Sequence, residues 1–107
     1  GTASAAFLPP AIRPTILANL AKLRMASSYR CAGHEYRMFA SGHTQFTMFY
    51  KLLPWDHVAG VLISAEAGAH VARFDGTPYR PEHDSGGLLA AVDRDSWELL
   101  RREVFTV

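Results

Sequence analysis

Leu53-Pro54-Trp55-Asp56-His57-Val58-Ala59-Gly60-Val61-Leu62-Ile63, followed after Ser64-Ala65 by Glu66-Ala67-Gly68, decides how this chain is read. Pro54 breaks the preceding run, and Asp56 stands where it can cap a new helix. Helical spacing predicts a buried stripe of Val58, Val61, Leu62 and Ala65. Gly68 suits a left-handed stop after it. Free N–H groups and the helix dipole stabilise a carboxylate at such a position, so Asp56 reads first as an N-cap. Its neighbours point further. Trp55 is a large aromatic that can wedge the turn, and Ala59 and Gly60 keep the first turn thin enough for another backbone to come close. That combination suits a carboxylate held rigidly toward a cleft.

Working outward, helical and strand signals alternate. Ser4 to Leu8 reads as a short strand ended by Pro9-Pro10. Pro14 suits a first helical turn, and Ile16, Leu17, Leu20 and Leu23 predict a helix from about Ile12 to Arg24. Ser27 to Cys31 reads as a short strand. Ala32 to Ala40 suits a helix closed by Gly42, and Thr44 to Tyr50, rich in aromatic and β-branched residues, a strand. Beyond the central helix, His70 to Phe74 alternates as a strand does, and Asp75-Gly76 marks a turn. Glu82-His83-Asp84-Ser85 is the most polar stretch and the expected mobile loop. Gly86-Gly87 introduces Leu88 to Val92, a short apolar strand. Asp93 or Asp95 then caps a last helix with Trp97, Leu100, Arg101 and Val104 on one face; Asp95 and Glu98 have capping-box spacing. The pattern predicts a single domain of the α/β class, a layered sandwich in which one mixed sheet of about five strands is covered by helices.

The totals agree. The chain has 107 residues, 49% of them hydrophobic and 20% charged, enough for one core. Eleven basic and ten acidic residues leave a net charge of +1, which gives no general footprint for nucleic acid. Arg94, Arg101 and Arg102 cluster locally and read as a solvated helix face. No apolar run approaches the ~20 residues of a membrane helix. Gly1 to Phe7 has no basic n-region and does not read as a signal peptide. Cys31 is alone, so no intrachain disulfide forms, and a reducing, cytoplasmic compartment fits best. The chain starts without Met and is expected to be a fragment or processed form.

Other chemistry is sparse. His34, His43, His57, His70 and His83 form no i,i+4 pair, and with one Cys they do not resemble a zinc site; each is expected on the surface or in a structural hydrogen bond. No Walker-type or dinucleotide glycine loop is present. Phe46 and Tyr50 share one face of their strand and Phe49 takes the other, where core packing is the ordinary role.

The central stretch resembles the second signature of the inositol monophosphatase family: Trp55-Asp56, small residues, an aliphatic run, then Glu66-Ala67-Gly68. The resemblance extends along the chain as the C-terminal half of such a protein. The segment from Gly1 to Leu8 looks like that half's opening strand. Arg30-Cys31-Ala32 lies where many members have Gly-Ser/Thr-Ala, and Ala40-Ser41-Gly42 looks like the end of the following helix. Gly87 to Ala91, Asp93 and Trp97 resemble the closing strand and helix. Members are magnesium-dependent, lithium-sensitive phosphomonoesterases built from two layered α/β halves. By that resemblance Asp56 is one magnesium ligand, and Arg30, Cys31, Ala32 and Phe49 line the substrate's alcohol side. Most other ligands, a Glu and an Asp-Pro-x-Asp-Gly-Thr segment, belong to the first half and are not in this sequence, so no catalytic residue is assigned here.

Two departures bear on substrate. Phe49 stands where inositol-hydrolysing members have a Glu for a sugar or cyclitol hydroxyl. Arg30 replaces a Gly, and its guanidinium suits a second phosphate or a carboxylate. The expected substrate is a small phosphorylated metabolite, inositol monophosphate-like or another. Ala69 in place of a second Gly is a mild change. The expected partners are the protein's own N-terminal half and, for this chain alone, a second copy; neither nucleic acid nor membrane is expected. The 107-residue chain should itself be inactive. The rival reading is a non-catalytic interaction or dimerisation module that retains the fold.

Overall fold

Strand β2 (Phe46–Phe49) and strand β4 (Leu88–Ala91) form the centre of the sheet, and every residue in both is buried. Both strands are covered on two faces; β4 is accordingly a continuous apolar run, and the one polar residue of β2, Thr47, is buried with its hydroxyl 2.7 Å from that of Thr2. The computed structural model describes residues 1–5, 8–23, 26–28, 32–50, 52, 54–82 and 86–106, with side chains of 54–56 excepted. Elements follow in the order β1 (Thr2–Ala3), α1 (Arg13–Leu20), α2 (Ala32–Ala40), β2, α3 (Pro54–Glu66), β3 (His70–Arg73), β4 and α4 (Arg94–Glu103).

The sheet has four strands in the order β1-β2-β4-β3. β1 runs parallel to β2, and the β2/β4 and β3/β4 pairs are antiparallel, so the sheet is mixed as expected. Among the described residues the count is four rather than about five. Ser27 makes only an isolated parallel bridge to Thr2, and the rest of that expected strand, 29–31, lies outside the described residues. The opening strand also sits earlier than its composition suggested: Thr2 and Ala3 pair with Thr47 and Met48, whereas Ala5 has already left the sheet. Pairing with a neighbouring strand overrode local apolarity there.

Strand alternation sends side chains to two separate cores. Phe46, Met48, Leu89, Ala91, Ala72 and Phe74 face Ile16 of α1 and Trp97, Val104 and Phe105 at the α4 end. Phe49 and Leu88 face the other way, into a smaller cluster with Tyr36 of α2 and Leu52, against which Val61 of α3 packs. The register matches this division, with Met48 opposite Leu89 and Phe49 opposite Leu88. Helices α1 and α4 thus cover one face and α2 and α3 the other.

Helix α2 and the start of α4 fall where predicted, but α1, expected to run to about Arg24, stops at Leu20. Asp93 caps α4 by accepting from the Ser96 N–H at 2.7 Å, which settles the choice between Asp93 and Asp95. Hydrogen bonds from Ser96 hold the Asp93 carboxyl below the usual carboxylate range. Helix α1 has no side-chain cap but carries Pro14 in its first turn. Arg101 is not a solvated charge: its Nε donates to the Phe74 carbonyl at 2.6 Å, its Nη1 to the Phe105 carbonyl, and it lies over the Phe74 ring. Arg94 does remain exposed, beside Glu98.

Candidate functional site

Helix α3 departs from its reading in two ways. It begins at Pro54, so Asp56 lies inside the first turn rather than at the N-cap. Proline fits the first helical position, where its missing N–H leaves no bond unmade. The inward stripe is His57, Gly60, Val61 and Ser64 in place of Val58, Val61, Leu62 and Ala65. His57 is 2% and Ser64 0% exposed, whereas Val58 is 45% and Leu62 60% exposed. Both sets follow i, i+3, i+4, i+7 spacing, one residue out of step. The small and polar set turns inward because α2 presses a tyrosine ring onto the helix. A Cβ built on Gly60 would stand 2.1 Å from Cδ2 of Tyr36, so only glycine admits this contact. Gly68 then closes the helix with φ +90, the left-handed stop that was expected.

The side chain next to Asp56 in sequence, His57, is the best-defined part of the region. Its Nδ1 lies 2.8 Å from the Tyr36 hydroxyl, and both residues are buried. Phe49 meets the imidazole at 4.8 Å between ring centroids with planes at 66°, an edge contact. Tyr36 and Phe49 lie 4.9 Å apart, and Tyr79, after β3, completes the group at 6.5 Å from His57. Burial, with Glu82 nearby, pushes the Tyr79 phenol up, so it is neutral over the physiological range. Rings from α2, β2 and the segment after β3 therefore converge on the fourth residue of α3.

Of the sequence-predicted site residues, Phe49 and Ala32 fall in this same cluster. Phe49 is 4% exposed, and Ala32, the first residue of α2, packs beside it half-buried. Asp56 is placed by its backbone, one residue before the imidazole. Its side chain, and Arg30 and Cys31 altogether, lie outside the described residues, as does 83–85 of the expected loop. Among the described residues no group of three or more His, Cys, Asp or Glu is gathered for a metal. Sequence reasoning missed Tyr36, His57 and Gly60 as a unit. The available signal was the polar and small set at helical spacing, 57, 60, 61, 64, running beside the apolar one.

A shallow cleft of about 310 Å³ lies elsewhere, lined by Phe74, Asp75, Trp97, Glu98, Arg101 and Arg102. Its charged groups have nearby partners. The Thr77 hydroxyl and N–H donate to Asp75 Oδ1 and hold that carboxyl below its usual range. The guanidinium of Arg101 is committed to the two carbonyls described above. Among the described residues no helix is long and apolar enough to cross a membrane.

A mixed sheet between two helical pairs, with Trp-Asp opening α3, defines a layered α/β unit. A sequence model of the inositol monophosphatase family matches residues 9–104, and the chain belongs to that family. The staphylococcal IMPase-II has a similar structure, with TM-score 0.80 and 20% identity over 98% of this chain and 42% of its own. That protein has also been crystallised with inositol monophosphate and with 2′-AMP. An inositol monophosphatase from Zymomonas mobilis gives TM-score 0.84 at 19% identity, covering 97% of this chain and 40% of its own. One from Anabaena (Nostoc) sp. gives 0.78 at 24%, covering 99% and 42%. The chain thus spans about two fifths of the length of these structures. A search of curated proteins gives no match.

Proposed function

We propose that this chain is the C-terminal part of a magnesium-dependent phosphatase that hydrolyses small phosphate monoesters. The observation that carries the reading is a family match over residues 9–104 with Asp56 on the first turn of a 13-residue helix. That carboxylate has the hard oxygen donors magnesium takes, so it fits as one ligand. Among the described residues no group of three or more His, Cys, Asp or Glu is gathered for a metal, so the remaining ligands would come from the rest of the protein. Bound there, magnesium would supply positive charge against the ester's phosphoryl oxygens.

The chain's own residues would do the rest. Asp56 would hold its ligand position on a helix anchored from one side by Tyr36. Arg30 would offer a guanidinium to a second anionic group of the substrate. Phe49 offers no carboxylate to a cyclitol hydroxyl, which favours a phosphorylated metabolite other than inositol monophosphate. The staphylococcal relative's complexes with inositol monophosphate and 2′-AMP support a site of this class accepting more than one alcohol. The exposed apolar side chains of α3, Val58, Leu62 and Ile63, support a covering partner: the N-terminal half in the intact protein, a second copy when the chain is alone.

The test is turnover of phosphate monoesters by the family-length protein. Asp56→Asn is expected to lower kcat by at least about 100-fold, as loss of a group stabilising transition-state charge does. Unchanged turnover would remove Asp56 from the site. Residues 1–107 alone are expected to show no magnesium-dependent activity, and activity abolished there by Asp56→Asn would refute that expectation.

A further inference from the structure

The first turn of a helix is its least secured part, because its first four N–H groups have no partner within the helix. In α3 that turn carries Asp56, and the outer side of the helix is open, with Val58 45% exposed. The described attachment is on the inner side. There the His57 ring is enclosed by Tyr36, Phe49 and Tyr79 and lies 2.8 Å from the Tyr36 hydroxyl. An apolar side chain would fill such a box equally well. A hydrogen bond adds direction, because it fixes how the ring is turned as well as how deep it lies. Gly60, one turn on, leaves the space that lets the phenol reach the imidazole.

We propose that Tyr36 is a positioning residue: through its bond to His57 it holds the first turn of α3, and with it the backbone that presents Asp56. The inference rests on the reading of Asp56 as a magnesium ligand. Groups that orient a ligand without touching the metal are commonly worth about 10- to 100-fold in affinity or activity, and Tyr36 acts here one residue removed, through the helix.

The test uses the family-length protein and Tyr36→Phe, which keeps the ring and deletes the hydroxyl. Magnesium affinity by titration calorimetry is expected to fall about tenfold. kcat should fall with it and KM for the monoester stay unchanged. Exchange of the amides of residues 58–60, which close the first turn, is expected to quicken about fivefold, the scale of one lost hydrogen bond. Val61→Ala is the control for stability alone: it thins the same cluster and should leave magnesium affinity unchanged. Unaltered affinity and exchange in Tyr36→Phe would overturn the proposal, as would an equal loss of affinity in Val61→Ala. A second pair serves if Tyr36→Phe does not fold. His57→Gln keeps a polar partner for the phenol and should bind magnesium more tightly than His57→Leu; the reverse order overturns the proposal. If Asp56→Asn leaves magnesium affinity intact, the ligand reading fails, and exchange at residues 58–60 still decides whether Tyr36 holds the turn.

Discussion

The two faces of the sheet are built differently. Under α1 and α4 the core is apolar from end to end, and its polar groups are used at the borders. Trp97 donates its indole N–H to the Leu89 carbonyl at 2.8 Å, Asn19 donates to the Val104 carbonyl at 3.0 Å, and Arg101 closes the α4 terminus. Under α2 and α3 the core is smaller and carries a phenol–imidazole pair at its middle, while apolar side chains of α3 lie outside. The first face is organised for stability. The second keeps a polar pair inside its core, whereas exposed apolar side chains occur on both faces, Leu17 and Leu99 on the first and Val58, Leu62 and Ile63 on the second. Local violations of the hydrophobic pattern are where function is most often found.

Four measurements can break or sharpen that contrast. The largest effect should come from the first face. Phe105, fully buried against Phe46 and Phe74, is expected to cost about 3–5 kcal/mol as Phe105→Ala in denaturant unfolding. Next is Gly60→Ala on the second face. The new Cβ must push the Tyr36 ring aside, costing about 1–3 kcal/mol against a helix-propensity gain of about 1 kcal/mol. A net loss of stability is expected, whereas Gly33→Ala in α2, where a Cβ meets nothing within 4 Å, should be neutral or slightly stabilising. Equal effects of the two glycine changes would remove the Tyr36 contact from the account.

Asp93→Ala tests the border of the first face through pH. Its carboxyl titrates below the usual range because Ser96 donates to it. The charged cap therefore contributes fully above the unfolded carboxylate pKa, and its contribution fades as pH falls through the lowered folded value. The variant should melt a few degrees lower near neutral pH, and the gap to the parent should narrow in acid. A gap that stays constant across that range would show the cap does not work through its charge. The smallest stability change belongs to the outer surface of α3. Leu62→Glu is expected to stay within about 0.5 kcal/mol of the parent but to shift light scattering of the isolated chain toward monomer. A parent already monomeric at high concentration would count against a self-associating face.

The sequence makes much of this plan readable. Helix α2 falls on 32–40 as expected, β2 and β4 lie within their expected runs, and Gly68 ends α3 where a left-handed residue was sought. These elements carry strong local signals: periodicity, β-branching, glycine. The inward side of α3 was not readable in the same way. Hydropathy selects Val58 and Leu62, but the helix turns by one residue so that Gly60 can accept Tyr36, a partner more than twenty positions away. The phenol–imidazole pair is equally non-local, since neither residue signals the other. Asp56 was legible as a candidate because a Trp-Asp pair opening a thin helix is a local feature.

The bond from Asn19 to Val104 joins positions 85 residues apart, and β2 pairs with β4 across the two middle elements. Contacts of such span set a folding order. A chain emerging from the ribosome can form α1 early, but the sheet face beneath it stays bare until Trp97 and Phe105 have been synthesised. Proteins dominated by distant pairings fold slowly and expose apolar surface while they wait. During synthesis, the interval between the appearance of β2 and of α4 is therefore when this chain is most open to a chaperone or to aggregation.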